Sequence, residues 1–383
     1  MLDKALQGGR GYWAWITLLL LLIAAGFACY LRQLEYGLGI TGLSRDVSWG
    51  IYIAQFTFFV GVAASAVMVV LPYYLHDVRQ FGRITLLGEL LAVAAVIMCM
   101  LFIFVDMGQP GRVLNVLLYP TPHSLMFWDM ISLSGYLLLN AVIASVMLGA
   151  EYKGLAAPGW IRPVIYLSIP WAVSIHTVTA FLYSGLPGRP LWFTAVLAPR
   201  FLASAFASGP ALLILLCLAL RRLTSFDAGK EAIRKLGVIV AYAMTANVFL
   251  LLLELFTAFY SHKPEHREPF EYLFFGLNGH HSLALLMWLS AALALAALAA
   301  LLVPRWRENE RILALASAAV FLSLWLEKGM GLIVAGFVPS PLRRVTAYAP
   351  TAPEWAIVLG IWALGALLVT MFYKITVAVR EQV

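Results

Sequence analysis

The chain has 383 residues, of which 62% are apolar or aromatic and only 12% charged, with a mean hydropathy of +0.89. A soluble domain is about 45–50% apolar and about 25% charged, so too few polar side chains exist here to cover a soluble core; soluble, disordered and collagen-like classes are excluded. The formal charge of +7 reads as membrane topology rather than nucleic-acid binding. Cys29, Cys99 and Cys217 lie inside apolar runs without CxxC or CxxCH spacing, so they build no zinc site, iron–sulfur cluster or covalent haem.

Ten runs are apolar all round with charges at their ends: Trp13–Leu34, Trp49–Leu75, Ile84–Met107, Ser124–Leu148, Pro163–Ser184, Phe201–Leu220, Leu236–Tyr260, Gly276–Leu302, Ile312–Ala335 and Glu354–Ala378. Each is long enough to cross about 30 Å of hydrocarbon. Backbone polar groups in lipid must be paired internally, and runs this long without strand-like alternation are helices. Residues 1–383 therefore read as one polytopic, all-α membrane domain. The first run follows Lys4 and Arg10 as a signal peptide would, but its length marks it as a retained helix.

With span ends counted with their loops, the side bearing both termini holds sixteen Lys and Arg and the other side nine. The positive-inside rule then places both termini in the cytoplasm of a cell-membrane protein. The opposite loops are rich in Pro, Gly, His and aromatics, as in Asp106-Met-Gly-Gln-Pro-Gly-Arg112, Tyr119-Pro-Thr-Pro-His123 and Gly185-Leu-Pro-Gly-Arg-Pro-Leu-Trp192. Shaped loops of this kind suit a docking surface or a site.

A charge at lipid depth costs roughly 2.5–3.5 kcal/mol on insertion scales, so each such group needs a partner or a task. Helix direction puts Asp106, Arg112, His123, Asp129, His176, Arg200 and Glu254 in the same third of the membrane, around one polar pocket. Glu89, Glu254, Glu327 and Lys328 are candidate stations of an inward proton route. Each has a plain structural alternative. Asp106 and Arg112 would pair to pin a turn, and His176, beside Ser174, Thr177 and Thr179, would bond a neighbouring helix. Asn140 and Asn247 would join helices, Glu89 would snorkel, and Glu327 and Lys328 would pair with separate neighbours.

The functional alternative is a proton-coupled quinone pocket. His176 with Asp106 or Asp129 is the catalytic group expected to exchange protons, since free imidazole titrates near pH 6.5. Tyr52, Gln55 and Tyr183 would donate to ring carbonyls, Arg112 and Arg200 would stabilise negative charge, and Trp49, Trp128 and Trp171 would wall the slot, with His123 at its mouth. A cytochrome b needs paired histidines at lipid depth, and only His176 lies clearly within a span.

Asp106-Met-Gly-Gln-Pro-Gly-Arg112 resembles the DLGxPxR-type signature of the NrfD/PsrC polysulfide-reductase membrane subunits, with Gln109 where that family usually carries a basic residue. Trp49-Gly-Ile-Tyr-Ile-Ala-Gln55 with Gly61 and Ala63-Ala64, His176-Thr-Val-Thr, Pro190-Leu-Trp192, Ser208-Gly-Pro210 and Tyr348-Ala-Pro-Thr351 up to Glu354 are similar to its other motifs in the same order. Within the family the wording around residues 175–210 is closest to the DsrP branch and its Hdr-like menaquinol oxidoreductase sisters. The resemblance implies two four-helix bundles, helices 2–5 and 6–9, flanked by helices 1 and 10, and a menaquinone site with no haem or metal in this chain. It implies an extracytoplasmic ferredoxin-like iron–sulfur subunit over that site, with a multihaem cytochrome c and further membrane and cytoplasmic redox subunits, in sulfur metabolism. The rival readings are a proton-coupled secondary transporter, whose helices would break at the midplane, a di-haem cytochrome b subunit, and a structural anchor for soluble redox partners.

Overall fold

The computed structural model describes residues 2–4 and 7–381. Ten of its helices are long and apolar enough to cross a membrane: α1 (Arg10–Ile40), α2 (Ile51–Leu75), α3 (Thr85–Asp106), α4 (Leu125–Tyr152), α5 (Ile161–Ser184), α6 (Leu197–Leu223), α7 (Lys230–Tyr260), α8 (Ala284–Leu302), α9 (Glu310–Ala335) and α10 (Ala352–Arg380). The chain is a multi-pass membrane protein without strands among the described residues. α8 begins later than the apolar pattern indicates, because Gly276 and Gly279 adopt positive φ and a short amphipathic helix, Pro264–Phe274, precedes them.

Two four-helix rings form. α2, α3, α4 and α5 close on one another, as do α6, α7, α8 and α9, and the rings meet where α2 touches α6 and α9 and where α5 touches α6. α1 lies outside, joined to α10, which also packs on α3. The order follows from composition. Every residue of Ile51–Ala63 is buried, as suits a segment with no polar face, whereas α1 leaves Leu18, Leu21 and Phe27 exposed toward lipid.

Small residues set the closest crossings, as is usual where no hydrophobic effect drives helices together. A side chain at Gly209 of α6 would come within 2.6 Å of the Ser65 nitrogen of α2, and Gly26 of α1 sits against Gly360 of α10. α2 loses helical form at Ala64–Ala66, next to that crossing, and the Ser65 hydroxyl donates to the Gly88 carbonyl of α3 at 3.2 Å. α9 carries a π-helical stretch, Trp325–Gly331. Interruptions thus occur inside two spans, both at the seam between the rings. They are tolerated because neighbouring protein supplies the hydrogen bonds that lipid lacks.

Asn140 bonds within its own helix, Nδ2 donating to the Tyr136 carbonyl at 2.8 Å, instead of joining two helices. That task falls to Ser290 of α8 and Ser323 of α9, whose hydroxyls donate to each other's carbonyls at 2.8 and 3.0 Å. At the face bearing the termini, Arg380 grips Glu151 through two bonds, at 2.9 and 3.0 Å, and Arg221 pairs with Glu310.

Gly209→Leu overpacks the α2–α6 crossing and should cost about 1–3 kcal/mol, read as a lowered thermal midpoint of the detergent-solubilised protein. Gly111→Ala, with open space around it, should leave the midpoint unchanged.

Candidate functional site

The polar residues singled out in the sequence do not share one pocket. They fall into three groups joined through α2 and Phe201. The first lies at the face opposite the termini, among α1, α2, α3 and α10. The Tyr52 hydroxyl donates to Gln33 Oε1 at 2.7 Å, and Gln33 Nε2 donates to the Val105 carbonyl at 2.6 Å. The adjacent Asp106 holds one buried oxygen, Oδ1, with no partner, and among the described residues no ion pair joins it to Arg112. The Tyr348 hydroxyl donates to Glu354 at 2.7 Å and accepts the Ile51 N–H at 2.8 Å, clamping the start of α2 to the start of α10. Burial, with the Glu354 carboxylate beside it, pushes the Tyr348 phenol above its ordinary value and keeps the donated proton in place.

The second group fills the first ring. The Tyr183 and Thr57 hydroxyls are 2.5 Å apart, and because Thr57 spends its own hydrogen on the Ile53 carbonyl, Tyr183 is the donor. Asp129 accepts from Thr179 at 2.6 Å. His176 is 0% exposed, packs edge-on against Phe206, and both its ring nitrogens lack a partner. Its interhelical hydrogen bond is therefore not formed. Above it, Tyr183, Trp49, Trp192 and Phe337 form an aromatic cluster with ring centres 5.2–6.0 Å apart, Trp49 stacking on Trp192. Gly336 leaves the space that the Trp192 indole occupies, and that indole donates to the Leu332 carbonyl at 2.8 Å. Arg189 lies over the Phe337 ring at 4.3 Å.

The third group lies in the second ring. α6 starts before the expected Phe201, which brings Arg200 into the helix and buries it to 7% exposure. Its guanidinium pairs with Glu254 of α7 through one nitrogen and with Glu327 of α9 through another, a use of its planar fork that lysine has no means to reproduce. Lys328 turns the other way. Its amine sits 4.3 Å over the Phe201 ring and 3.5 Å from the Phe201 carbonyl, facing Gly61 of α2. Two charges adjacent in the chain thus reach different neighbours, as residues about 100° apart on a helix do. Phe201 also touches the Tyr183 ring, so the second and third groups share it. A cavity of about 200 Å³ has Glu254, a partner of Arg200, and His266 in its lining.

Other expectations are corrected. Arg112 and His123 are exposed on their loops, since the loop between α3 and α4 lies over the surface. Trp128 and Trp171 are not slot walls: their indoles donate to the Pro122 and Ser132 carbonyls. Glu89 is 2% exposed and does not snorkel. Gln55 is fully buried, and its Oε1 accepts the Trp325 and Trp362 indoles at 2.9 and 3.0 Å while Nε2 has no partner. Gln33, Trp325 and Trp362 carried no signal of their own in the sequence, because an aromatic or amide in an apolar run looks like packing. Among the described residues no three His, Cys, Asp or Glu side chains gather as metal ligands.

The sequence profile of the polysulphide reductase NrfD family matches residues 39–339. The chain belongs to this family. Among curated relatives, it is 27% identical to a putative dimethyl sulfoxide reductase membrane subunit of Halobacterium salinarum, over 94% of this chain and 89% of that one. It is 28% identical to an Hdr-like menaquinol oxidoreductase integral membrane subunit of Archaeoglobus fulgidus, over 63% and 60%. With a menaquinone reductase integral membrane subunit of Nitratidesulfovibrio vulgaris it shares 21% over 94% and 90%. For this NrfD-family chain the matched segment contains α2 through α9, and so both rings and all three polar groups except Tyr348 and their α1 and α10 members.

Arg200→Met leaves two buried carboxylates facing each other without a counter-charge, a loss of the order of 3–5 kcal/mol. The purified variant should show a sharply lower thermal midpoint, and adding Glu254→Gln and Glu327→Gln should recover most of it.

Proposed function

We propose that this chain is the quinone-interacting membrane subunit of a respiratory reductase complex, exchanging electrons between menaquinone and iron–sulfur clusters of a partner docked on the face opposite the termini. The observation that carries the reading is His176: a fully buried imidazole with two unpartnered nitrogens, on the same ring as the Tyr183–Thr57 pair and beneath an aromatic cluster. A quinone needs a flat apolar slot, donors for its carbonyls and a group that moves protons as the ring gains or loses electrons. Menaquinone named in two relatives supports the choice of ligand.

In this reading each menaquinol releases two electrons toward the partner's clusters and two protons to the protein. His176 takes a proton, with Asp129 and Asp106 as further acceptors, and Tyr183, on the same ring of helices, orients the quinone; Tyr52, bonded to Gln33, and Gln55, facing α9 and α10, lie in neighbouring groups, and Arg112 and His123 belong to the docking loops. Glu254, Glu327 and Lys328, with Glu89 on α3, form the proton path, and Arg200 holds the first two in place. The Lys and Arg excess supports cytoplasmic termini and an extracytoplasmic aromatic cluster. Motif wording in the 175–210 region supports a DsrP-like setting in dissimilatory sulfur metabolism, with a ferredoxin-like iron–sulfur subunit and a multihaem cytochrome c as partners. The interruptions inside α2 and α9 favour a secondary transporter instead; solute uptake by proteoliposomes of the purified chain would establish that rival.

His176→Ala should abolish menaquinol turnover by the assembled complex, at least about 100-fold in line with loss of a general base, with the same set of subunits present on a native gel. Turnover at the parent rate would remove His176 from the site.

A further inference from the structure

We propose that the cleft beneath α10 seats the prenyl tail of the quinone and that the unpartnered Nε2 of Gln55 marks the end of the cleft where the ring enters the protein. This rests on the quinone reading above and adds its route of access. Where α10 crosses the seam between the two rings lies a cavity of about 290 Å³. Ala94 and Ala95 of α3 and Gly365 and Ala366 of α10 hollow it out, and Phe59, Phe321 and Trp362 form one end. At the other end, Trp15 is exposed and its indole donates to the Thr370 hydroxyl at 3.2 Å. Apart from Trp15 of α1, the lining residues come from the central parts of α2, α3, α6, α9 and α10. The cavity is therefore at mid-bilayer depth, where long hydrocarbon chains are the available solutes.

Gln55 decides between those chains. It precedes Phe59 by four residues, which places it one helical turn closer to the face opposite the termini on the same stripe of α2. Its Oε1 is held by the Trp362 indole, part of the cavity wall, and by Trp325. Its Nε2 is buried and unpaired, a state native proteins rarely leave unfilled. A phospholipid acyl chain brings no acceptor to this depth. A prenyl chain headed by a ring carbonyl does.

The test compares binding of a long-tailed menaquinone and of tail-less 2-methyl-1,4-naphthoquinone to the full chain in phosphatidylcholine nanodiscs. Ala366→Phe and Val369→Phe, made separately, fill the cleft. Each should weaken the long-tailed ligand by about tenfold, the equivalent of two buried methylenes, and leave the tail-less one unchanged. Equal weakening of both ligands, or of neither, overturns the proposal. If the parent chain binds neither ligand, the quinone reading itself falls and this inference with it. A menaquinone with a diazirine in its tail gives a second measurement independent of variant folding. It should label residues 91–98 and 362–370, and unlabelled menaquinone should suppress the label. Labelling elsewhere, or suppression by added phosphatidylcholine alone, overturns the proposal.

Discussion

The structure depends on α2 being wrapped by protein from Ile51 to Ala63. A hydroxyl or amide facing hydrocarbon has nothing to bond, whereas one facing another helix can be satisfied or held ready for a ligand. Because α3, α5, α6, α9 and α10 surround it, α2 carries Tyr52, Gln55, Thr57 and Ser65 at full burial, and each reaches a different neighbour. Gln33 of α1, Tyr183 of α5, the indoles of α9 and α10 and the Gly88 carbonyl of α3 are those partners. One central helix therefore determines where polar chemistry can exist in the molecule.

The second ring solves a different problem. Two carboxylates and a guanidinium at lipid depth would each be costly alone, and their pairing makes α6, α7 and α9 mutually dependent. Lys328, next in sequence to Glu327, is stabilised by an aromatic face and a carbonyl rather than by a carboxylate. Adjacent residues of a helix point about 100° apart, which is enough to send the two charges to different neighbours. Phe201 then couples the charged ring to the aromatic cluster of the first, touching both Lys328 and Tyr183.

How much was legible in the sequence differs from residue to residue. The buried positions of His176, Glu254, Glu327 and Lys328 followed from where each falls within an apolar run. Arg200 did not, because a charge at the edge of a run reads as a loop residue until the helix start is known. Trp128 and Trp171 looked equivalent to Trp49 as slot walls, yet helix rotation turns their indoles onto backbone carbonyls and leaves Trp49 in the cluster. The common pocket failed for the same reason. Depth is a one-dimensional property that counting along a helix supplies, while the direction of a side chain around the axis depends on which helices are neighbours.

By itself, then, the sequence determined the ten apolar helices, their alternating direction and the membership of the NrfD family, since hydropathy, charge asymmetry and ordered motifs are all written along the chain. Only the tertiary structure decided that the polar residues divide into three groups, that Arg200 joins Glu254 to Glu327, and that Gln55 is left with a free donor beside an apolar cleft. Those outcomes depend on close crossings such as Gly209 against Ser65 and Gly26 against Gly360. Such contacts join residues far apart in the chain, and no local pattern records them.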